Sequence, residues 1–266
     1  MDYKGYVKLT EEQAAEFYKN ESVEGLTFYE NEYVIIEGDV YCYKNGFCRR
    51  VEYPRIDNQW SGVMKPRNVE QLAAMDLVLD DSVTVKLLTG TWGTGKTMIL
   101  VAAALKGLEE GNFKKIVWIR NNISVKDTSD IGALPGTELE KMLPWVMPMA
   151  DHCGGISGIE RLISSGFLEV IPLGFLRGRS IRDSIIISSE AENLTKEHIQ
   201  LLLGRVDEGS QLWLDADCRQ RDKAVFEKSK GIETLVERLA GNKLFGCVHL
   251  VKSERSATAQ LADLLN

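Results

Sequence analysis

Residues 90–97 read GTWGTGKT, Gly90 to Thr97, a full match to the phosphate-binding loop pattern GxxxxGK[ST]. A nucleoside triphosphate carries crowded anionic oxygens, and a glycine-rich turn lets successive backbone N–H groups face them with no Cβ in the way. Gly90, Gly93 and Gly95 supply that freedom, with Thr91, Trp92 and Thr94 between them. Lys96 places a point charge within reach of the β- and γ-phosphates and Thr97 offers a hydroxyl to Mg²⁺. The helix that follows aims its positive dipole end at the same anion. The flanks agree with this reading. Ser82 to Thr89 (SVTVKLLT) reads as a short buried strand, and Met98 to Leu108 (MILVAAALKGL) as an alanine- and leucine-rich helix. Strand, loop and helix in that order distinguish a nucleotide site from a chance glycine-rich turn.

Downstream, apolar strands alternate with helical segments, the signature of βαβ units and a parallel sheet. Lys115 to Ile119 is one strand, with Arg120 and Asn121 at its carboxyl end, where open α/β sheets place ligand groups. Gly132 to Trp145 (GALPGTELEKMLPW) reads as a turn at Pro135-Gly136 and a short acidic helix, and Gly166 to Ile171 as a further strand. The loop Gly174 to Ser180 (GFLRGRS) carries Arg177 and Arg179, which suit phosphate or a neighbouring subunit's nucleotide; the plain alternative is a solvated loop. Ser184 to Ile187 is wholly apolar and β-branched, hence central, and ends at Ser188-Ser189-Glu190, where Glu190 is placed to polarise an attacking water. Lys196 to Leu203 reads as a helix. Gln211 to Leu214 is the next strand, ending in Asp215-Ala216-Asp217 with Gln220 and Asp222 close behind, a polar group suited to sensing a γ-phosphate or holding a metal-bound water. Val248 to Val251 is the last strand, followed by Ser253, Glu254, Arg255 and a closing helix to Leu265.

Upstream of the loop, Asn68 caps a helix over Val69 to Leu79, and Gln71 on it carries an amide that can pair both ways with an adenine edge or simply face solvent. Pro54 to Arg67 has two prolines, a glycine and no period, and reads as a linker. Before it lies a small β-rich module: a short helix at Thr10 to Lys19, strands at Tyr33 to Ile36 and Gly38 to Tyr43, and a hairpin signal at Asn45-Gly46. Its Tyr29, Tyr33, Tyr41, Tyr43 and Phe47 read as packing residues in preference to base-stacking platforms. The division expected is residues 1–60 for this module and linker, and 61–266 for the phosphate-loop domain.

At 266 residues and 44% hydrophobic content the chain can bury a substantial core. A net charge of -7 argues against a generally basic nucleic-acid coat but leaves a local channel open. Five scattered cysteines without CxxC spacing suggest neither a disulfide framework nor a zinc site, and no apolar run is long enough for a membrane span, so a cytoplasmic protein without a membrane role is expected. Asp151-His152-Cys153 is treated as incidental, since adjacent residues point different ways.

Taken in order, Pro66-Arg67-Asn68-Val69-Glu70-Gln71, GTWGTGKT, LPGTELEKMLPW, PLGFLRGRS, the EAENLT stretch, the Asp217/Gln220/Asp222 cluster and Ser253-Glu254-Arg255 resemble the PhoH family of ATPases. The resemblance runs from about Met64 onward and implies a RecA-like P-loop NTPase fold, akin to a single core domain of a superfamily 1 helicase. Carried onto matching positions, it implies ATP binding by Gln71 and Gly90 to Thr97, and Mg²⁺ near Thr97, position 189 and Asp217. It further implies catalysis by Lys96 and Glu190, and γ-phosphate sensing by Gln220. It also implies a ring-shaped homo-oligomer, a hexamer by the same resemblance, acting on single-stranded RNA or DNA, with Arg177, Arg179 or Arg255 as an arginine finger across the interface. FYENEYVII resembles the segment that joins a PIN nuclease to PhoH in two-domain members; no PIN sequence is present, so ribonuclease activity is not expected. Two departures stand out. Where the family has Asp-Glu-Ala-Gln, this chain has Ser189-Glu190-Ala191-Glu192, so a hydroxyl stands where a metal-shell carboxylate is expected, which predicts weaker metal binding and slow hydrolysis. Ala216 also replaces the glycine usual before Asp217. The altered metal motif motivates the alternative of a hydrolysis-impaired nucleotide-binding regulatory or assembly module, while Glu192 and Ala216 bear on the coupling of hydrolysis to a nucleic-acid strand.

Overall fold

The computed structural model describes residues 3–121, 138–221 and 224–254. Its centre is a six-stranded parallel sheet in the order β12-β7-β11-β10-β8-β9, formed by β7 (Val85–Gly90), β8 (Lys115–Arg120), β9 (Leu168–Pro172), β10 (Ser184–Ser188), β11 (Gln211–Ala216) and β12 (Phe245–Leu250). Alternation along each strand sends side chains to opposite faces. Leu88, Ile116, Trp118, Ile185, Ile187 and Trp213 join one apolar layer; Leu87, Val117, Ile119, Ile186, Leu212 and Leu214 join the other. The first layer is closed by α2 (Val69–Leu79), α3 (Lys96–Glu109), α4 (Glu138–Ala150) and α5 (Gly155–Ser164), the second by α6 (Lys196–Leu203) and α8 (Gly231–Leu239), which α7 (Ala224–Ser229) precedes. This is a RecA-like α/β arrangement, with both faces covered as the apolar β-branched strands require.

The N-terminal module is a four-stranded sheet, β1 (Tyr6–Lys8), β2 (Glu32–Ile36), β3 (Asp39–Lys44) and β4 (Phe47–Arg50), with α1 (Glu11–Asn20) packed on it. Thr10 caps α1 through a capping box with Gln13, and Asn45 and Gly46 take the positive φ values, 51° and 86°, that the tight hairpin needs. The packing reading of its aromatics holds for Tyr33, which is buried, and for Tyr41, whose ring meets Phe17 edge-on at 5.1 Å; Phe47 is exposed at the hairpin tip. Several contacts fasten the module to the rest of the chain. Asn31 Nδ2 donates to Phe245 O of β12 at 2.9 Å, Tyr33 Oη donates to Asp76 of α2 at 3.0 Å, and His249 N of β12 donates to Lys4 O at 2.9 Å. Beside the last, Gly5 (φ +78°) lies so close to β12 that a Cβ would sit 1.7 Å from Cys247 O.

Two stretches differ from their sequence reading. The linker contains a hairpin, β5 (Ile56–Asn58) and β6 (Gly62–Met64), held against α3 by Asn58 Nδ2 donating to Ala102 O at 3.1 Å. The short acidic helix is the 13-residue α4, which accommodates Pro144 and Pro148 and is tied to the sheet by Trp118 Nε1 donating to Trp145 O at 3.0 Å. The turn at Pro135-Gly136, Asp222 and the closing helix with Arg255 lie outside the described residues. No helix among the described residues is long and apolar enough to cross a membrane.

Candidate functional site

The loop after β7 turns on three glycines with positive φ, Gly90 at 142°, Gly93 at 69° and Gly95 at 94°. At Gly90 a Cβ would lie 2.2 Å from Leu250 O, so the loop can pass β12 only without a side chain. Gly95 is also the N-cap of α3 and offers no side-chain cap, which leaves the first N–H groups of the helix available to an anion. Lys96 Nζ donates to the carbonyls of Gly90 at 2.8 Å and Thr91 at 2.9 Å and so lies across the loop mouth. Buried Thr94 stiffens the turn by donating from Oγ1 to Thr91 O at 2.8 Å.

A cavity of about 500 Å³ opens over this loop. Of the residues singled out from sequence, Gln71, Trp92, Gly93, Gly95, Lys96, Thr97, Glu190, Asp217 and Gln220 line it. The sheet order explains the convergence: β10 and β11 run parallel to β7 and their carboxyl ends all open on the same side. Glu190 follows β10 in a left-handed conformation (φ 53°) and pairs with Arg120 from the end of β8. Asp217 N donates to Glu192 Oε2 at 2.9 Å, and burial pushes the Glu192 carboxyl up to about 8. Gln220 N closes a turn onto Asp217 O at 2.8 Å, which presents Gln220 to the cavity.

Both ends of the Gln71 amide are engaged by the protein: Oε1 accepts from Arg67 N at 2.9 Å and Nε2 donates to Thr94 O at 3.0 Å. The residue therefore braces the phosphate loop while lining the cavity. Ser189, expected at the metal, is buried with no hydrogen-bond partner for its Oγ among the described residues, and it does not line the cavity. The group that meets the Thr97 hydroxyl is Asp215: Thr97 Oγ1 donates to Asp215 Oδ2 at 2.7 Å, and Glu190 N donates to Asp215 Oδ1 at 2.9 Å. Burial raises the Asp215 carboxyl above its ordinary range, against the hydrogen bonds of Thr97 and Glu190 and the charges of Lys96 and Arg120, which hold it down. Arg177 and Arg179 follow β9, the outermost strand, with four strand steps between it and β7; Arg179 pairs with Glu169 at 2.8 Å. Neither lines this chain's own cavity.

The sequence reading assigned no site role to Arg67, Met98 or Glu254 and treated Asp151 and His152 as incidental, yet all five line the cavity. Glu254 N donates to Gly93 O at 3.0 Å and its carboxylate accepts from Asn68 Nδ2 at 2.8 Å, so the segment after β12 clasps the phosphate loop to α2. Asp151 and His152 arrive from the end of α4, whose course the sequence did not reveal.

Among the described residues there is no group of three or more His, Cys, Asp or Glu arranged to cage a metal ion. The donors near Thr97 are hydroxyl and carboxylate oxygens, a set that suits Mg²⁺ held by one or two protein oxygens together with phosphates. Trp92, Arg67 and Met98 supply apolar and cationic surface at the cavity wall.

Comparison with known proteins agrees with the motif order. A family model described as PhoH-like protein matches residues 63–262. Protein PhoH2 of Bacillus subtilis (strain 168) is 38% identical over 220 residues, covering 79% of this chain and 49% of that protein. Protein PhoH2 of Mycolicibacterium smegmatis is 36% identical over 216 residues, covering 80% and 49%. The chain thus spans about half the length of these curated relatives. Among solved structures, the Pif1 helicase from Candida albicans aligns with 76% of this chain and 44% of its own at 17% identity and a TM-score of 0.38. With a family model over most of its length and the loop, the strand-end carboxylates and the clasp after β12 all converging on one cavity, the chain belongs to the PhoH-like protein family.

Proposed function

We propose that this chain binds ATP with Mg²⁺, hydrolyses it, and couples the cycle to single-stranded RNA or DNA as a subunit of a hexameric ring. The observation that carries the catalytic part is the convergence of Lys96, Thr97, Glu190 and Gln220 on one cavity at the carboxyl ends of β7, β10 and β11. The loop N–H groups and the α3 N-terminus bind the phosphates, and Lys96 exchanges its carbonyl partners for phosphate oxygens. Mg²⁺ would be held on the Thr97 and Asp215 side of the cavity and would supply charge neutralisation for the phosphates. Glu190, oriented by Arg120, accepts a proton from the attacking water, and Gln220 reports the state of the γ-phosphate. In this reading Arg177 and Arg179, remote from their own loop, serve a neighbouring subunit's nucleotide. The nucleic-acid and ring assignments rest on family analogy.

A second reading, a nucleotide-dependent assembly module with little turnover, is favoured by the Glu190–Arg120 ion pair, which occupies the candidate base with a cation. Phosphate release with ATP and Mg²⁺, with and without single-stranded RNA and beside a Lys96→Ala control, tests both. RNA-stimulated turnover lost in Lys96→Ala supports the motor. Tight ATP binding with turnover no higher than Lys96→Ala replaces it with the switch.

A further inference from the structure

The hydroxyl of Thr97 donates its hydrogen bond to Asp215 Oδ2, which leaves the lone pairs of the hydroxyl oxygen for a cation in the cavity. A carboxylate that accepts this bond and also borders the cavity occupies the place where a phosphate-loop site needs negative charge. We propose that Asp215, at the end of β11, is the carboxylate that orders the Mg²⁺ shell in this chain, standing in for the acid that position 189 at the end of β10 lacks. This inference rests on the nucleotide-binding reading above.

The sheet makes such a transfer geometrically simple. Ser188 of β10 is in register with Leu214 of β11, so the next residues along, Ser189 and Asp215, end neighbouring strands side by side. β11 lies between β10 and β7 and is therefore one strand nearer the phosphate loop, a step of about 4.8 Å. Asp215 lines the cavity; Ser189 does not, and its hydroxyl reaches no partner among the described residues. Moreover, the two oxygens of Asp215 join the two halves of the site. Oδ2 holds Thr97 on the metal side, and Oδ1 holds the backbone of Glu190 on the water side. A change at the metal is thereby transmitted to the base through one rigid carboxylate. The serine at 189 then does not weaken metal binding, contrary to what the sequence alone predicts. Restoring an acid there sets a second buried carboxylate beside the first, and like charges at that spacing resist joint ionisation.

The decisive measurement is affinity for a non-hydrolysable ATP analogue, by titration calorimetry on the full chain, in Mg²⁺ and in EDTA. Wild type should bind about tenfold or more tightly with Mg²⁺, and Asp215→Asn should cut that enhancement, taken as the ratio of its own two affinities, below about twofold. Ser189→Ala should keep the full enhancement, and Ser189→Asp should not increase it. Full enhancement in Asp215→Asn, or its loss in Ser189→Ala, overturns the proposal. Should Asp215→Asn fail to fold by circular dichroism, the two Ser189 variants still decide: an enhancement lost in Ser189→Ala or raised about tenfold in Ser189→Asp overturns it. Wild-type binding that is equal in Mg²⁺ and EDTA defeats this inference and leaves nucleotide binding standing. A wild type that binds no analogue in either buffer defeats the nucleotide-binding reading itself.

Discussion

Lys86 is the second residue of β7, at the end of the strand away from the phosphate loop, and is fully buried. Its Nζ donates to Val78 O at 2.8 Å and lies 4.8 Å from the centre of the Trp213 ring. Val78 belongs to the last turn of α2, which carries no basic residue of its own, so Lys86 acts as a cap delivered from the sheet. Burial lowers its pKa from 10.5 to about 7. The unfolded chain therefore binds this proton more readily than the folded one between those two values, and stability rises with pH across that window. The full penalty is present below pH 7 and gone above 10.5; at 1.36 kcal/mol per unit, the shift from 10.5 to about 7 is worth roughly 5 kcal/mol. Lys86→Met keeps length and apolar volume and removes the titration. Urea unfolding of both proteins from pH 7.5 to 9.5 should show wild type gaining about 2–3 kcal/mol on the variant, because every other titrating group is shared and cancels in the difference. Parallel stability curves across that range would refute the assignment of a neutral buried lysine.

Glu192 should show the opposite slope: its folded pKa is raised from 4.5 to about 8, so its contribution is complete below 4.5 and lost as pH climbs through 8, and Glu192→Gln should flatten that fall in denaturant titrations. Gly5→Ala should destabilise by about 2 kcal/mol or more, since the new Cβ meets Cys247 O at 1.7 Å in a left-handed backbone, and hydrogen exchange at His249 N should accelerate. Trp118→Phe removes the donor to Trp145 O and should lower stability by about 1–2 kcal/mol in thermal melts without changing nucleotide affinity. Gln71→Ala should weaken nucleotide binding through a loosened loop, seen as faster exchange at Arg67 N, whose acceptor it removes.

The central sheet was legible because its strands are short apolar runs bounded by polar strand ends, and GTWGTGKT fixed which of them carries the loop. What sequence order does not carry is lateral position. β11 follows β10 in the chain yet inserts between β10 and β7, and only that insertion brings Asp215 to Thr97 in place of Ser189. The same lack of non-local information hid Asp151, His152 and Glu254, each at the end of an element whose direction is set by packing. Gln71 precedes the loop in sequence, and the backbone groups of Arg67 and Thr94 that meet its amide are ones whose proximity no spacing reveals. The hairpin of β5 and β6 was masked by its prolines and glycine, and it is held by a side-chain bond to α3 and by Arg161 stacking 3.9 Å over Trp60.

The outer rim of β12 is met by Lys4 and by the amide of Asn31, two residues of the N-terminal module. A shortened protein that begins after the module would leave that rim bare, with His249 N and Phe245 O unmatched on a flat apolar strand, a ready template for another chain. Such a fragment should precipitate or pair edge to edge even with its phosphate loop intact. Attempts to isolate the nucleotide-binding half should therefore retain the segment around Lys4 and Asn31, or replace it with charged residues facing that rim.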